Sequence, residues 1–551
     1  MTPGDELLFL ALGGAGEIGM NVNLYGCRGK WIMLDLGMTF NDPRAPGVDV
    51  ILPDLSFIEE RRRELLGVIL THGHEDHIGA VPYLAADLGV PLWATPFTAG
   101  LVRRKLAEEG LAGRVPVNVV PLGGSLELPP FRFRFVSLAH SIPEGNAVVI
   151  DTPFGRVFHT GDWKLDDRPI IGDPATAAEL IAIGDNGGAG TLALVGDSTN
   201  VFNAEASGSE SDVRAGLLDL VRGRTGGRVL VTTFASNVAR LQTLAEVALA
   251  SGRRLVIAGR SLERIIDVAR ETGYLADLPE PLPLELAATA RPETLLILAT
   301  GTQGEPQAAL ARMADGAHPF LRLERGDLVV FSSRVIPGNE LAVSRVQNDL
   351  TALGVDVVTE REVHVHVSGH PGRPELEAMY GWIRPRIAVP VHGERRHMEA
   401  HARLAALCQV PHQIVAPNGT VARLAPGEPE IVGHVPSGRL ALDGDVILSV
   451  EGETLGARRR LAHAGLLVVA LAKSRRGALA GEPQVVASGV PVEEEAEAFL
   501  AECRAAAADV AGRLGFGDER RLSDEVKIAV RRVARKWTGK KPPTEVAIIA
   551  I

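Results

Sequence analysis

The stretch "THGHEDHIGA" at residues 71–80 constrains the fold more than any other part of this chain. It places His72, His74, Glu75, Asp76 and His77 directly behind the apolar run "LLGVIL". Ionisable groups packed together at a strand end are costly to bury unless they pair with one another or with a bound ion. Two imidazoles separated by one residue project to the same side of an extended chain. Asp76 and His77 fall where the chain turns into "IGAVPYL", so they can face a neighbouring point. Imidazole nitrogen and carboxylate oxygen are the usual non-thiolate ligands of zinc. His72, His74, Asp76 and His77 can therefore serve two metal ions lying close together, and two ions need more ligands than this run holds.

Other strand ends can supply them. Apolar runs broken by glycine and proline fill the first two hundred residues, and several end on a polar group: "WIMLDLG" on Asp35, "FRFRFVSLAH" on His140, "RVFHTGD" on His159 and Asp162, "LALVGDS" on Asp197. A sheet that delivers polar residues at its strand ends builds one site along one edge. After about residue 206 the pattern changes to strand, loop, helix, strand, as in "GRVLVTTFASNVARLQTLAEVALASGRRLVIAG", which predicts a parallel sheet. Near 360 the polar-ended runs return, in "REVHVHVSGH" and in "IAVPVHGE" with His392. We read residues 1–205 and 359–425 as two parts of one domain, 206–358 as an inserted domain, 426–459 as a linker, and 460–551 as a small α/β domain. "GAGEIG" at 14–19 satisfies a dinucleotide fingerprint, but "MNVNLYGCRGKWIMLDLG" follows and alternates like paired strands. A dinucleotide site needs a helix there, so a glycine loop between two strands is expected.

The totals exclude some classes. No apolar run reaches membrane-spanning length, and the first residues lack the basic segment of a signal peptide. Three cysteines, Cys27, Cys408 and Cys503, are far apart and odd in number, which argues for a reducing cytoplasm and against a disulfide framework. The net charge of −11 does not advertise nucleic-acid binding, although a cleft can be locally positive and bound cations add charge there.

"THGHEDHIGA", with "LDLG" before it and "AHSIP", "HTGD" and "PVHGE" after it, resembles the metallo-β-lactamase fold. The insert framed by "GDSTN", "HVSGH" and "VHGE" is similar to the β-CASP nucleases, and "GTQGEP", "SSRVIPGNE" and the last domain bring the chain nearest to the bacterial ribonuclease J family. A "SRGFVY"-like segment usual in that family is replaced here by "ASGVPV" at 487–492. The resemblance implies an α/β fold: a metallo-β-lactamase αββα sandwich with an inserted β-CASP domain and a C-terminal α/β domain. It implies that His72, His74 and His140 hold one zinc, that Asp76, His77 and His392 hold the other, and that Asp162 bridges them.

The implied activity is hydrolysis of RNA phosphodiesters to 5′-phosphate products, by 5′→3′ exonuclease and endonuclease action, in RNA maturation and decay. Two divalent ions lower the pKa of a shared water and neutralise phosphoryl charge, while Asp76 and Asp162 orient the attack. Asp35 is expected to hydrogen-bond a ligand histidine. His370 is the candidate general acid for the leaving oxygen, oriented by Asp197; the alternative is a histidine that only binds phosphate. His366, Val367, Ser368, Gly369 and His370 form a loop of donors suited to a 5′-phosphate. Phe234, Ala235, Ser236 and Asn237 match a nucleotide-holding loop, against the alternative of an ordinary loop. Gly47, Asp49 and Asp443 match positions for an additional calcium or manganese ion; solvated aspartates in turns are the alternative. The expected partner is single-stranded RNA, with a 5′-monophosphate preferred. A homodimer or tetramer is expected, with other RNA-decay proteins as further partners. Three other readings remain. In the DNA-directed branch the position of His392 is typically valine. A thioester or lactam hydrolase would have no use for the insert. An inactive RNA-binding subunit would have lost metal ligands that are all present here.

Overall fold

The apolar runs before residue 200 form strands, and the strands form two sheets with one core between them. In this computed structural model, which describes residues 4–551, Leu7–Gly13 is buried along its whole length. It lies inside an eight-stranded sheet, antiparallel to Thr420–Ala425 on one side and Val22–Cys27 on the other. Lys30–Leu34, Leu65–Ile69, Leu92–Ala94 and Val117–Val119 continue that sheet. "GAGEIG" links Leu7–Gly13 to its antiparallel neighbour as a loop with no helix behind it, so the dinucleotide reading falls.

The second sheet has seven strands, in the order Ser125–Leu128, Phe131–Ser137, Asn146–Thr152, Gly155–His159, Thr191–Asp197, Pro385–Val391 and His412–Gln413. Alternation in "FRFRFVS" sends Phe131, Phe133 and Phe135 to one face, where they meet Phe9, Tyr25 and Ile32 of the first sheet. Val149, Phe158 and Leu194 line the other face, under the helices Ala177–Asp185, Arg373–Ile383 and Arg395–Leu407. The helix Pro96–Glu108 packs on the first sheet. This is the αββα sandwich of the metallo-β-lactamase fold.

Thr191–Asp197 and Pro385–Val391 are parallel neighbours, with Thr191 opposite Pro385 and Asp197 opposite Val391. The chain between them leaves the sheet at one strand end and re-enters on the adjacent strand. It builds a separate parallel sheet ordered Arg254–Ala258, Leu295–Ala299, Val229–Thr232, Leu328–Phe331 and Asp356–Thr359. Parallel strands covered on both faces read as unbroken apolar runs, as "LLILA", "VLVT" and "LVVF" do. Buried ion pairs lie inside this insert, among them Arg240 with Glu210 and Arg228 with Asp327. Nη2 and Nε of the fully buried Arg240 donate to Glu210 at 3.0 Å, and Nη1 donates to the carbonyl oxygens of Ser332 and Val365 at 3.0 Å.

Contacts divide the described chain into two units, the second made of Phe40–Ile51 and Gly438–Ile551. In that unit Leu466–Lys473 runs antiparallel to Gln484–Ser488 and parallel to Thr544–Ala550. Phe499, Cys503, Leu522 and Val526, from the helices Ala496–Leu514 and Glu519–Thr538, pack on Leu467, Val469 and Leu471. The stretch 426–459, read as a linker, carries the strands Glu430–His434, Arg439–Asp443 and Val446–Ser449 and the start of a helix at Glu453. Its glycines and prolines separate short strands and do not mark loose chain. Among the described residues no helix is long and apolar enough to cross a membrane.

Candidate active site

Leu65–Ile69 ends just before Thr71, and the four-residue helix Glu75–Ile78 begins at once. That break turns Asp76 and His77 back toward His72 and His74. The fit needs a glycine nearby: a Cβ on Gly37 would lie 1.8 Å from the Asp76 carbonyl oxygen. Two other site residues hold left-handed backbone, Asp35 with φ 64° and His392 with φ 51°. Such conformations cost a non-glycine residue on the order of 1–3 kcal/mol and persist only where neighbours enforce them. Here Asp35 N donates to Ile69 O at 2.9 Å and His392 N donates to Gly14 O at 2.6 Å. The glycine loop at 14–19 thus has a part in seating His392.

The polar strand ends converge. His72, His74, His140 and Asp162 present ligating atoms within 4.8 Å of one another, and so do Asp76, His77, Asp162 and His392. Asp162 is common to both groups. In the first group His74 Nδ1 lies 3.1 Å from His72 Nε2 and 3.0 Å from His140 Nε2. In the second, Asp76 Oδ2 lies 3.0 Å from His392 Nε2 and 3.6 Å from His77 Nε2, and Asp162 Oδ2 is 3.2 Å from His77 Nε2.

The ring nitrogens facing away from the cluster settle the tautomers. His77 Nδ1 donates to Asp35 Oδ2 at 2.7 Å. His72 Nδ1 donates at 3.0 Å to Thr71 Oγ1, whose hydroxyl donates to Asp35 at 2.9 Å. His140 Nδ1 donates to Gly369 O at 2.6 Å, and His392 Nδ1 to Thr199 Oγ1 at 2.6 Å. His74 Nε2 is hydrogen-bonded to Ser236 Oγ at 3.1 Å. The rings of His72, His77, His140 and His392 thus each have an acceptor for the outer N–H, which leaves the inner nitrogen as the one that can ligate, the arrangement of metal-ligating histidines. The donor set fits divalent cations that accept nitrogen and oxygen ligands, and this cluster is a metal-binding site.

Electrostatics divide the rings. The carboxylates around them, Asp162 first, outweigh burial and hold His77 and His392 well above the ordinary histidine range, so a cation that binds there displaces a proton from each. Burial holds His72 and His140 well below the ordinary histidine range and His74 at about 4, so these rings are neutral near pH 7. Burial would raise Asp76 and Asp162, but the neighbouring histidines, chiefly His77 and His392, outweigh it and keep both carboxyls ionised. Beside this cluster His370 Nδ1 donates to Asp197 Oδ2 at 2.8 Å, leaving Nε2 free. Burial lowers the His370 pKa, yet the Asp197 and Asp162 carboxylates raise it above its ordinary value. Its ring stacks on that of His392, with centroids 5.5 Å apart.

Not every expected residue joins this group. His159 is buried with Nδ1 on Tyr25 Oη at 2.9 Å and takes no place among the ligating atoms. Asn237 caps the helix Val238–Ala250 through Arg240 N and donates to Glu210, so its polar atoms are already engaged. Phe234 and Ala235 lie half-buried beside Ser236. His366 Nδ1 is buried without a hydrogen bond and Val367 is buried. Asn200 Nδ2 donates to Ser368 Oγ at 2.6 Å and to His370 O at 3.2 Å, which fixes that loop. At the expected third ion site Asp443 Oδ2 accepts from Arg458 at 2.5 Å, and the Asp49 carbonyl accepts from Asn41 N at 3.0 Å. Gly47 has φ 76°. A cation there would have to displace the guanidinium from Asp443.

Sequence reasoning missed Asn21, Thr71, Thr199 and Asn200. Asn21 Nδ2 donates to the Asp76 carbonyl at 3.1 Å and lies 3.0 Å from His77 Nε2. Only adjacency to the strand ends could have suggested Thr71 and Thr199.

Comparison with known proteins assigns the parts. Residues 226–350 match the family described as ribonuclease J, beta-CASP domain, and 453–551 match the ribonuclease J C-terminal domain. Residues 18–204 match the metallo-beta-lactamase superfamily, and 354–411 match a Zn-dependent metallo-hydrolase RNA specificity domain. The chain is 41% identical over 559 residues to ribonuclease J of Sinorhizobium meliloti, covering 100% of this chain and 98% of that protein. It is 39% identical to ribonuclease J of Mycolicibacterium smegmatis (98% and 95% covered) and 37% identical to that of Thermus thermophilus (98% and 94%). A crystal structure of a protein of unknown function from Enterococcus faecalis shares the fold at TM-score 0.53 and 17% identity, over 78% of this chain and 100% of that one.

Proposed function

The chain belongs to the ribonuclease J family, and from that premise we propose that it is a zinc-dependent ribonuclease that hydrolyses RNA phosphodiesters to 5′-phosphate products. It combines 5′→3′ exonuclease with endonuclease action, favours a 5′-monophosphate, and works in the cytoplasm on RNA maturation and decay. As in its family, a homodimer or tetramer is the expected form, alongside other RNA-decay proteins. The observation that carries the reading is the pair of potential ligand groups sharing Asp162, with the histidine rings held from outside the cluster by hydrogen bonds.

His72, His74 and His140 would hold one zinc, Asp76, His77 and His392 the other, and Asp162 both. Two such cations supply water acidified to near neutrality and charge neutralisation for a phosphoryl group. The protein's part is orientation and proton transfer. Asp35, Thr71, Thr199 and Ser236 fix the histidine rings. Asp76, with a side chain 30% exposed, faces the opening and accepts from the attacking water. His370, protonated and held by Asp197, donates through Nε2 to the leaving 3′-oxygen. Ser368 and the backbone of Gly369 and His370 receive the 5′-phosphate. His392 at the position typical for valine in DNA-directed relatives favours RNA.

The test uses one 3′-labelled RNA with a 5′-monophosphate, 5′-triphosphate or 5′-hydroxyl, given to the wild type and to His370→Ala. Stepwise loss from the monophosphate form, slower on the others and collapsed in the variant, is expected. Equal internal cutting of all three would remove the phosphate pocket, and cleavage of DNA alone would move the protein to the DNA-directed branch.

A further inference from the structure

Phe202 lies in the loop that follows Asp197 and is 50% exposed. Its surroundings hold it there. The ring centroid is 5.0 Å from that of His397, and the Arg396 guanidinium stands 5.9 Å from it. Arg396 is itself oriented by Glu394, with Nε to Oε2 at 2.7 Å. His397 is 6% exposed and its Nδ1 makes no hydrogen bond. Burial and Arg396 lower its pKa, so the ring backing Phe202 is uncharged near neutrality.

The loop is pinned on both sides of this ring. Thr199 holds His392, and Asn200 holds Ser368 and His370. Beyond them, Arg373 Nε donates to Val201 O at 3.0 Å and Arg373 N to Asn203 O at 2.9 Å. Two residues reach at most about 7 Å, so Phe202 cannot stray from Asn200 and the "HVSGH" loop that Asn200 touches. Gly393 closes the other side: a Cβ there would lie 2.8 Å from His397 Cβ and 3.1 Å from Ser198 Cβ. The exposed ring is thus tied by short tethers to segments bearing His370 and His392.

We propose that Phe202, with His397 tilted against it and Arg396 over it, forms with that exposed guanidinium a stacking platform for a nucleobase of the single-stranded RNA engaged at the metal site. The proposal rests on the ribonuclease reading. An aromatic face accepts any base, which suits an enzyme that must pass along unrelated sequences. Arg396 contributes a cation over the same ring, on a chain whose net charge is −11. Neither Phe202 nor Arg396 lies among the ligating residues, so the platform bears on binding and leaves the chemical step alone.

The experiment compares full-length wild type, F202A and F202W on a ladder of 5′-monophosphorylated oligouridylates. For oligomers long enough to reach the ring, F202A is expected to raise KM about fivefold or more, the weak end of aromatic–base stacking. kcat and the shortest oligomers stay unchanged, and F202W restores KM. In EDTA, where nothing turns over, oligouridylate should quench the added indole emission of F202W above the wild-type background. Unchanged KM for F202A at every length, with no quenching in F202W, would overturn the platform while leaving the ribonuclease intact. Quenching without cleavage by the metal-loaded wild type would support the platform and sink the ribonuclease reading.

Discussion

At the scale of single residues, the site is a set of rings whose outer nitrogens are all tied down. Asp197 sets the pH behaviour of His370. Burial lowers that pKa, and the Asp197 and Asp162 carboxylates more than restore it. Activity that needs the protonated ring persists below this pKa and fades as pH rises through it. Asp197→Asn removes the nearer charge, so the alkaline limb of the kcat/KM profile should move to lower pH; an unmoved limb would dissociate His370 from proton donation. Ser236 offers a different test. Its hydroxyl is hydrogen-bonded to His74 Nε2, so it can orient a ring of the metal-binding cluster. Ser236→Ala should weaken metal affinity about 10- to 100-fold, as removal of such outer partners does, read by competition with a chromogenic chelator. Affinity equal to wild type would show that the bond is idle.

At the scale of elements, what was legible in sequence follows from spacing. The cluster at 72–77 announced itself because four ligating groups lie in six positions, and the strand-end residues His140, Asp162 and His392 followed because the cluster demanded partners. Thr71 and Thr199 were illegible because a threonine in a loop has no periodic signature. His159 is the reverse case: its strand end looks like the others, but its Nδ1 pairs with Tyr25 in the core. The stretch 426–459 looked like a linker because turn residues crowd short strands, and only pairing partners far away in sequence reveal them. Buried charge was equally hidden. Arg240→Ala would leave Glu210 unpaired inside the insert and should destabilise the protein by about 3–5 kcal/mol, measured by denaturant unfolding followed within the insert. Gly369→Ala presses a methyl to 3.0 Å from His140 Cε1 and 2.8 Å from Ser141 Oγ. Metal content should fall in that variant while the circular dichroism spectrum holds.

For the molecule as a whole, the residues of the metal-binding cluster come from distant parts of the chain's long first unit, from His72 to His392. A ligand that binds only the folded state stabilises it by mass action. Removal of metal by EDTA should therefore abolish cleavage and lower the Tm without unfolding the protein at room temperature. An unchanged Tm would mean that the cluster is organised by hydrogen bonds alone.

The chain leaves the second sheet after Asp197 and re-enters it at Pro385, beside the strand it left. On the ribosome this order acts as a timer. A nascent chain that has already exposed His72, His74, His77, His140 and Asp162 still lacks His392, the Gly369 carbonyl that orients His140, and His370, the acid proposed above. At roughly 5–20 residues per second, the whole insert must be synthesised before any of these emerges. An enzyme that degrades RNA thus stays inert through most of the time it spends attached to its own message.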